Sequence, residues 1–339
     1  MSGRVDVALD LPRMRHMSAG MASYAEELAA RLPRVAPDLR FAVLPRTSAL
    51  DLNEQLLLPL RLRRARPRLV HFLSVYAPLA APRPYAITIH DLIHLRYPAL
   101  FKRSVGPYYA TVVRAACARA ARIITDDDRT VPDLERFLGV PPRKVSTIPL
   151  GVDDVFAAPA EPWPHPRPYF LYVGNHRPHK DLPTLFAAWA GLPPEAEADL
   201  LLTGPDDFGA QARPPERARG AVRFLGDVDA AHLARLYRGA VALVHPALCE
   251  GFGLPLLEAA TAGTAVIVSD GAVPAVLRPY VDVFPARDVA ALAAAMRGAL
   301  ASPRPREAAQ RFARTLTWDR CATLTAEVYR DVLEESRKR

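Results

Sequence analysis

Residues 245–270 read HPALCEGFGLPLLEAATAGTAVIVSD. An apolar strand is expected to end near His245, with the glycine-bearing loop Glu250-Gly251-Phe252-Gly253 after it and a helix from about Pro255, a residue suited to a first helical turn. Glycines let the backbone come close to a ligand, and the amides and dipole at a helix start favour phosphate or diphosphate. In open α/β sheets ligands lie at the carboxyl ends of strands, so the placement suits a binding site. Glu250 opens the loop and Glu258 sits one turn into the helix, so the two carboxylates can meet different ends of one ligand. An ionised carboxylate accepts paired hydroxyl hydrogen bonds, which fits sugar or ribose hydroxyls. The plainer alternative makes Glu250 a cap and Glu258 a favourable first-turn acid.

Outward from this stretch, short apolar runs alternate with longer amphipathic ones, the sequence form of βαβ units around parallel sheets. Candidate strands in the first half are 5–11, 41–44, 69–73, 85–90, 122–125 and 145–149. In the second half they are 169–173, 200–203, 222–225, 242–245, 265–269 and 281–284. Helices are expected between them, with a long amphipathic one at 318–333. The segment AAPAEPWPHPRP, residues 157–168, breaks the rhythm with Pro159, Pro162, Pro164, Pro166 and Pro168. Prolines so spaced enter neither a helix interior nor a central strand, so the segment reads as a rigid linker. The fold class implied is α/β, with two Rossmann-like doubly wound domains facing a cleft. The expected division is one such domain at 1–160, a second at 161–316, and a terminal helix at 317–339 that packs on its own domain or crosses back to the first.

The chain has 339 residues, long enough for about two domains. Half the residues are hydrophobic and 24% are charged, a globular composition. The N-terminus lacks the apolar core of a targeting segment, and no run approaches a membrane span, so a cytoplasmic protein is expected. Cys117, Cys249 and Cys321 are odd in number and far apart, which argues against disulfides and zinc. The net charge of +8 favours anionic partners of any sort. Its densest run, RLRRARPR at 61–68, is either a patch for anionic headgroups at the inner face of a membrane or the solvated side of a connecting helix. Nucleic-acid signatures are absent, and the basic residues are not interleaved with aromatics.

The run EGFGLPLLEA at 250–259, with its E-x7-E spacing, resembles the signature of retaining glycosyltransferases of family 4, which have the GT-B fold. YFLYVGNHRPHKDLPTL (169–185), RFLGDVDAAHLARLYRGAVALVHP (223–246), ITIHDLIHLRYP (87–98) and VPPRKVSTIPLGVDDVF (140–156) resemble further family segments in the family's order. The HDLIHLRYP form is similar to members that build bacterial polysaccharides, often from mannose-type donors. The resemblance implies that Glu258 binds the donor's ribose hydroxyls and Glu250 lies by the transferred sugar. It implies that Lys180 neutralises the diphosphate leaving group, with Gly174 passing close to phosphate at the preceding strand end. His90 matches a histidine that contacts the donor sugar, and Asp91 could orient it or meet the acceptor. Gly251, Phe252, Gly253 and Leu254 form the loop and helix start against the donor, and Gly20 is what remains of a first-domain phosphate loop.

Three departures stand out. Asn175 replaces an arginine that in many members pairs with the lysine, and Arg177 is the candidate to supply that guanidinium. Ala247 stands where a serine is common, and Pro274-Ala275-Val276 departs from the usual PEV. Val228 and Asp229 follow a strand end where the family contacts the base. A carboxylate there can accept both N1–H and N2–H2 of guanine, which favours GDP over UDP. The D-x-D within Asp126-Asp127-Asp128 has the spacing of a metal chelate, but after the strand RIIT it reads as loop and helix cap, and no metal is expected.

The resemblance thus implies transfer of a hexose from a nucleotide-diphosphate sugar to a hydroxyl of a glycan, a lipid-linked acceptor or a small molecule, with retained configuration and no cofactor. It suggests front-side substitution, with the departing phosphate accepting the acceptor's proton. The competing readings are a catalytically silent nucleotide-sugar-binding subunit, and an epimerase or glycan phosphorylase on the same fold.

Overall fold

The computed structural model describes residues 5–12, 19–46, 53–207, 220–301 and 306–338. The chain divides into two compact units, one of residues 1–151 with 317–339, the other of residues 152–316. Each holds a parallel six-stranded sheet with helices between most successive strands.

In the first unit the strands are β1 (Val7–Pro12), β2 (Phe41–Arg46), β3 (Leu69–Phe72), β4 (Tyr85–Thr88), β5 (Arg122–Thr125) and β6 (Val145–Thr147). They stand in the order β2-β1-β3-β4-β5-β6. β3 and β4 are buried along their whole length, as parallel strands covered on both faces are, and their polar side chains His71 and Thr88 bond to each other at 2.8 Å. Thr88 of β4 lies opposite Ile124 of β5, so His90 and Asp126, each two residues further on, leave the sheet on the same side as neighbours.

The C-terminal helix Trp318–Arg337 belongs to this unit and packs on the helix Ala19–Val35. Tyr329 on it meets His71 of β3 across 2.6 Å. Gly151 lies so close to the start of this helix that an added Cβ would come 2.1 Å from the Trp318 nitrogen.

The second unit contains β7 (Tyr169–Tyr172), β8 (Asp199–Leu202), β9 (Val222–Phe224), β10 (Ala242–His245), β11 (Ala265–Ser269) and β12 (Asp282–Phe284). Their order is β12-β11-β10-β7-β8-β9. The chain winds outward to one side of β7 and then returns to build the other side from β10. The carboxyl ends of β7 and β10 therefore flank the switch point where such sheets bind ligands.

The boundary between units falls after Gly151, not at residue 160 in the proline run. That run docks on the second unit instead of spanning freely. The Trp163 amide donates to the Arg235 carbonyl at 2.9 Å, the Arg235 guanidinium lies 5.2 Å from the Trp163 ring centre, and His165 meets the Asp199 carboxylate at 2.8 Å. All three cysteines are buried. Among the described residues no helix is long and apolar enough to cross a membrane.

Candidate active site

At the carboxyl end of β10 the loop 246–253 leads into the helix Leu254–Ala262. Gly253 caps that helix at φ +78°, a conformation that favours glycine, and an added Cβ would meet Leu256 Cδ1 at 2.9 Å. In the first turn Pro255 has no amide to donate and the Leu256 amide donates to the Gly253 carbonyl at 2.9 Å, while Phe252 is buried in the loop. Gly251 lies in the loop between the two.

From the neighbouring β7, the chain passes through Gly174 and Asn175 to a 3-10 turn, Pro178–Lys180. The Gly174 amide donates to Thr203 Oγ1, and an added Cβ would stand 3.0 Å from the Tyr172 hydroxyl. Lys180 is buried, and its Nζ donates to Glu250 Oε2 at 2.5 Å. His245, buried at the end of β10, brings Nε2 to 3.5 Å from the same oxygen and stacks on Tyr172. Burial alone would raise the Glu250 carboxyl, but Lys180 and then His245 hold it well below the usual carboxylate range.

Glu258 has the opposite environment. It accepts a 2.8 Å hydrogen bond from the Tyr237 hydroxyl, and no cation pairs with it among the described residues. Burial pushes its carboxyl up to about 7, aided by the charge of Asp153 and opposed by the Tyr237 bond.

Asn175 and Arg177 are both exposed. The Asn175 Oδ1 accepts from the Arg177 amide at 3.3 Å, so the asparagine amide group closes its own turn and the Arg177 side chain stays in solvent. Val228 lies half-buried between β9 and the helix Ala230–Gly239. Asp229 caps that helix, Oδ1 accepting from the His232 amide at 2.8 Å, so one of the two oxygens expected to read guanine is already used.

In the first unit, His90 Nδ1 meets Asp126 Oδ2 at 2.6 Å, both side chains nearly buried, with the Tyr24 ring edge-on to the imidazole at 4.8 Å. Asp126 is thus the residue that orients His90. Asp91 instead accepts the Ile93 amide at 3.0 Å and caps its own turn. Burial disfavours the imidazolium, but the Asp126 and Asp91 carboxylates together raise its pKa. Four buried atoms without a hydrogen-bond partner gather at these strand ends: Ser74 Oγ, His90 Nε2, Thr125 Oγ1 and Asp126 Oδ1. Such atoms mark where a polar ligand would complete the bonding. Asp127 turns to the amide and guanidinium of Arg129 at 2.8 and 3.0 Å, and Asp128 is exposed, so the three aspartates do not converge as a chelate. Among the described residues no cluster of three His, Cys, Asp or Glu side chains could hold a metal. Gly20 lies in the first turn of the helix Ala19–Val35, and most of the segment before it, residues 13–18, falls outside the described residues.

The sequence profile described as Glycosyl transferases group 1 matches residues 156–316, and that described as Glycosyltransferase Family 4 matches residues 19–156. Glycogen synthase of Mycobacterium tuberculosis is 31% identical over 294 residues, covering 79% of this chain and 69% of its own. The chain is a family 4 glycosyltransferase. O-antigen chain mannosyltransferase B of Escherichia coli is 28% identical to the glycosyltransferase over 289 residues, 79% of this chain and 76% of its own. Sucrose-phosphate synthase from Thermosynechococcus elongatus superposes with a TM-score of 0.73 at 21% identity, covering 98% of this chain and 100% of its own. HepE from Anabaena, solved in complex with UDP and glucose, gives 0.72 at 16% identity, covering 96% and 100%. Those likenesses show the GT-B fold for the glycosyltransferase.

Sequence reasoning missed His245, Tyr172, Tyr237 and Asp126 as companions of the glycosyltransferase's candidate site residues. His245 carried a usable signal, since it ends a buried strand directly before the glycine loop. Tyr237 carried none, because its reach to Glu258 depends on how the helix Ala230–Gly239 packs on Leu254–Ala262.

Proposed function

We propose that this glycosyltransferase moves a hexose of mannose type from a nucleoside diphosphate sugar to a hydroxyl of a glycan, glycolipid or small-molecule acceptor, with retention and without a metal. The observation that carries the reading is the meeting of Lys180 and Glu250 at the switch point, with Glu258 one turn further into the helix. O-antigen relatives named as mannosyltransferases support the sugar class.

In the proposed reaction the acceptor oxygen attacks the anomeric carbon on the face from which the diphosphate leaves. The carbon–oxygen bond to phosphate breaks, and the departing phosphate oxygen takes the acceptor's proton. Negative charge grows on that phosphate, so a fixed cation nearby contributes more than any other single group. Lys180 is the buried cation available, and exposed Arg177 can turn inward as the ligand arrives. Glu258 then accepts ribose hydroxyls.

The proposed location is the cytoplasmic face of a membrane. The helix Leu58–Ala65 supports it, burying Leu58 and Leu62 while Leu56, Leu57 and Leu60 are exposed beside Arg61, Arg63 and Arg64.

Calorimetric titration of GDP, UDP and their hexose conjugates, without metal, tests the site in the wild type and in Glu258→Ala. A ligand that binds only the folded state raises stability by RT ln(1 + [L]/Kd), so melting gives an independent reading. Binding of one diphosphate that Glu258→Ala abolishes is the expected result. Binding that ignores Glu258, or that requires magnesium, overturns the assignment.

A further inference from the structure

A cavity of about 750 Å³ opens on the first unit at the edge where β4, β5 and β6 begin, the opposite edge from His90 and Asp126. Its volume lies in the range of small-molecule sites. Five cations line it, Arg83, Arg119, Arg122, Arg143 and Lys144, against the single carboxylate of Glu335.

Two of the five are held by carbonyl or carboxylate acceptors of the fold, and Arg119 reaches the neutral Tyr85 hydroxyl. Lys144 Nζ donates to the Cys117 and Ala118 carbonyls at 2.8 and 2.9 Å, closing the end of the helix Arg114–Arg119, and Arg122 pairs with Glu335 at 2.7 Å. Arg83, Arg119 and Arg143 are exposed, and none of them pairs with a carboxylate among the described residues. Lys144 senses two of them: burial lowers its pKa, Cys117 opposes that, and the charges of Arg83 and Arg143 lower it further. Helix capping explains one cation and the Glu335 pair another, which leaves three guanidinium groups around a concave surface with no internal anion.

We propose that this basic hollow binds a multiply charged, phosphate-bearing small molecule through Arg83, Arg119 and Arg143. Guanidinium groups engage phosphate oxygens in pairs, so three of them suit a diphosphate or a pair of nearby phosphates. The chemistry is common to a soluble phosphorylated metabolite and to a lipid headgroup, and the source is decided by experiment.

The full-length chain is titrated with inorganic tripolyphosphate, with and without a saturating nucleoside diphosphate to fill any site on the second unit. Co-sedimentation with phosphatidylglycerol vesicles is measured in parallel, and both are repeated for Arg83→Ser/Arg143→Ser, whose side chains are exposed and outside the core. Tripolyphosphate binding that persists with nucleotide present and weakens about tenfold or more in the variant is the expected result. If vesicles alone depend on the two arginines, the ligand is a headgroup. Equal binding by variant and wild type, or no binding of either probe, overturns the proposal. Nucleotide binding itself is read separately, so failure of the donor site leaves this test intact.

Discussion

Replacing Glu258 by glutamine should make the empty protein more stable above neutral pH while weakening nucleotide binding. In the folded chain the carboxyl titrates at about 7 against an ordinary 4.5, chiefly through burial. At about 1.4 kcal/mol per pH unit, the ionised form costs on the order of 3 kcal/mol, or about 2 kcal/mol after allowing for partial solvent access to the side chain. The folded pKa lies above the unfolded one, so between 4.5 and 7 the folded state holds a proton that the unfolded state has lost. Stability from this group is therefore complete below pH 4.5 and is lost as pH rises through 7. Glutamine keeps the acceptor for the Tyr237 hydroxyl and carries no charge to bury.

Thermal melting of wild type and Glu258→Gln at pH 4.5 and pH 8 reads the difference, and comparing the two proteins at each pH removes titrations common to both. The melting points should nearly coincide at the lower pH. At the higher pH the variant should melt later by about 4 °C or more, at 2–4 °C per kcal/mol for a unit of this size. An equal offset at both pH values, or a variant less stable at pH 8, would refute the reasoning. A gain in stability joined to a loss of nucleotide affinity is the signature of a group kept for its ligand at the expense of the empty fold.

Three further outcomes follow from the same geometry. Lys180→Ala leaves the Glu250 carboxylate enclosed without its cation, so denaturation at pH 7 should show a loss of about 3 kcal/mol or more; Lys180→Ala/Glu250→Gln should recover part of that stability with turnover still absent, and a fully stable single variant would contradict the pair's importance. Gly253→Ala forces a side chain into left-handed backbone at φ +78° and against Leu256, so melting should show a loss of about 1–2 kcal/mol together with weaker diphosphate binding. Asp126→Asn removes the largest influence raising the His90 pKa, so that histidine should titrate at lower pH by NMR and its contribution to stability, present below its unfolded pKa, should shrink; an unmoved resonance would exclude the contact.

The strands were legible because central parallel strands are buried on both faces and are predominantly apolar, as in YFLY at β7 and the ALV that precedes His245 in β10. The glycine loop was legible because a left-handed turn before a helix leaves few residues other than glycine. Partners across the chain were not legible, since periodicity reports the face a residue occupies and not what another element brings to it. Asp91 is next to His90 in sequence, yet Asp126 holds the imidazole, because the register of β4 on β5 sets residues 90 and 126 side by side. The proline run misled for a related reason. Proline content excludes helix and central strand, but it does not say that Trp163 will find Arg235 or that His165 will find Asp199.

The two glutamates that frame the loop occupy one loop and one helix turn and yet have their pKa values shifted in opposite directions. Glu250 is held as a carboxylate by Lys180, while Glu258, with no cation, is held near its neutral form by burial. Paired groups whose surroundings push their pKa values apart mark a division of roles. Without a donor, Lys180 would be a buried ammonium with nothing to offset its desolvation, and Glu250 supplies the anion. In the proposed reaction a diphosphate brings the same charge to the same cation, so binding exchanges one anion for another and avoids exposing an unpaired lysine. In that exchange Glu250 keeps His245 at 3.5 Å, and sugar hydroxyls donating to its oxygens would replace part of what Lys180 gave it. Glu258 faces no such competition: its acceptor oxygens already sit beside one hydroxyl, that of Tyr237, in an environment that a ribose hydroxyl would extend without adding charge.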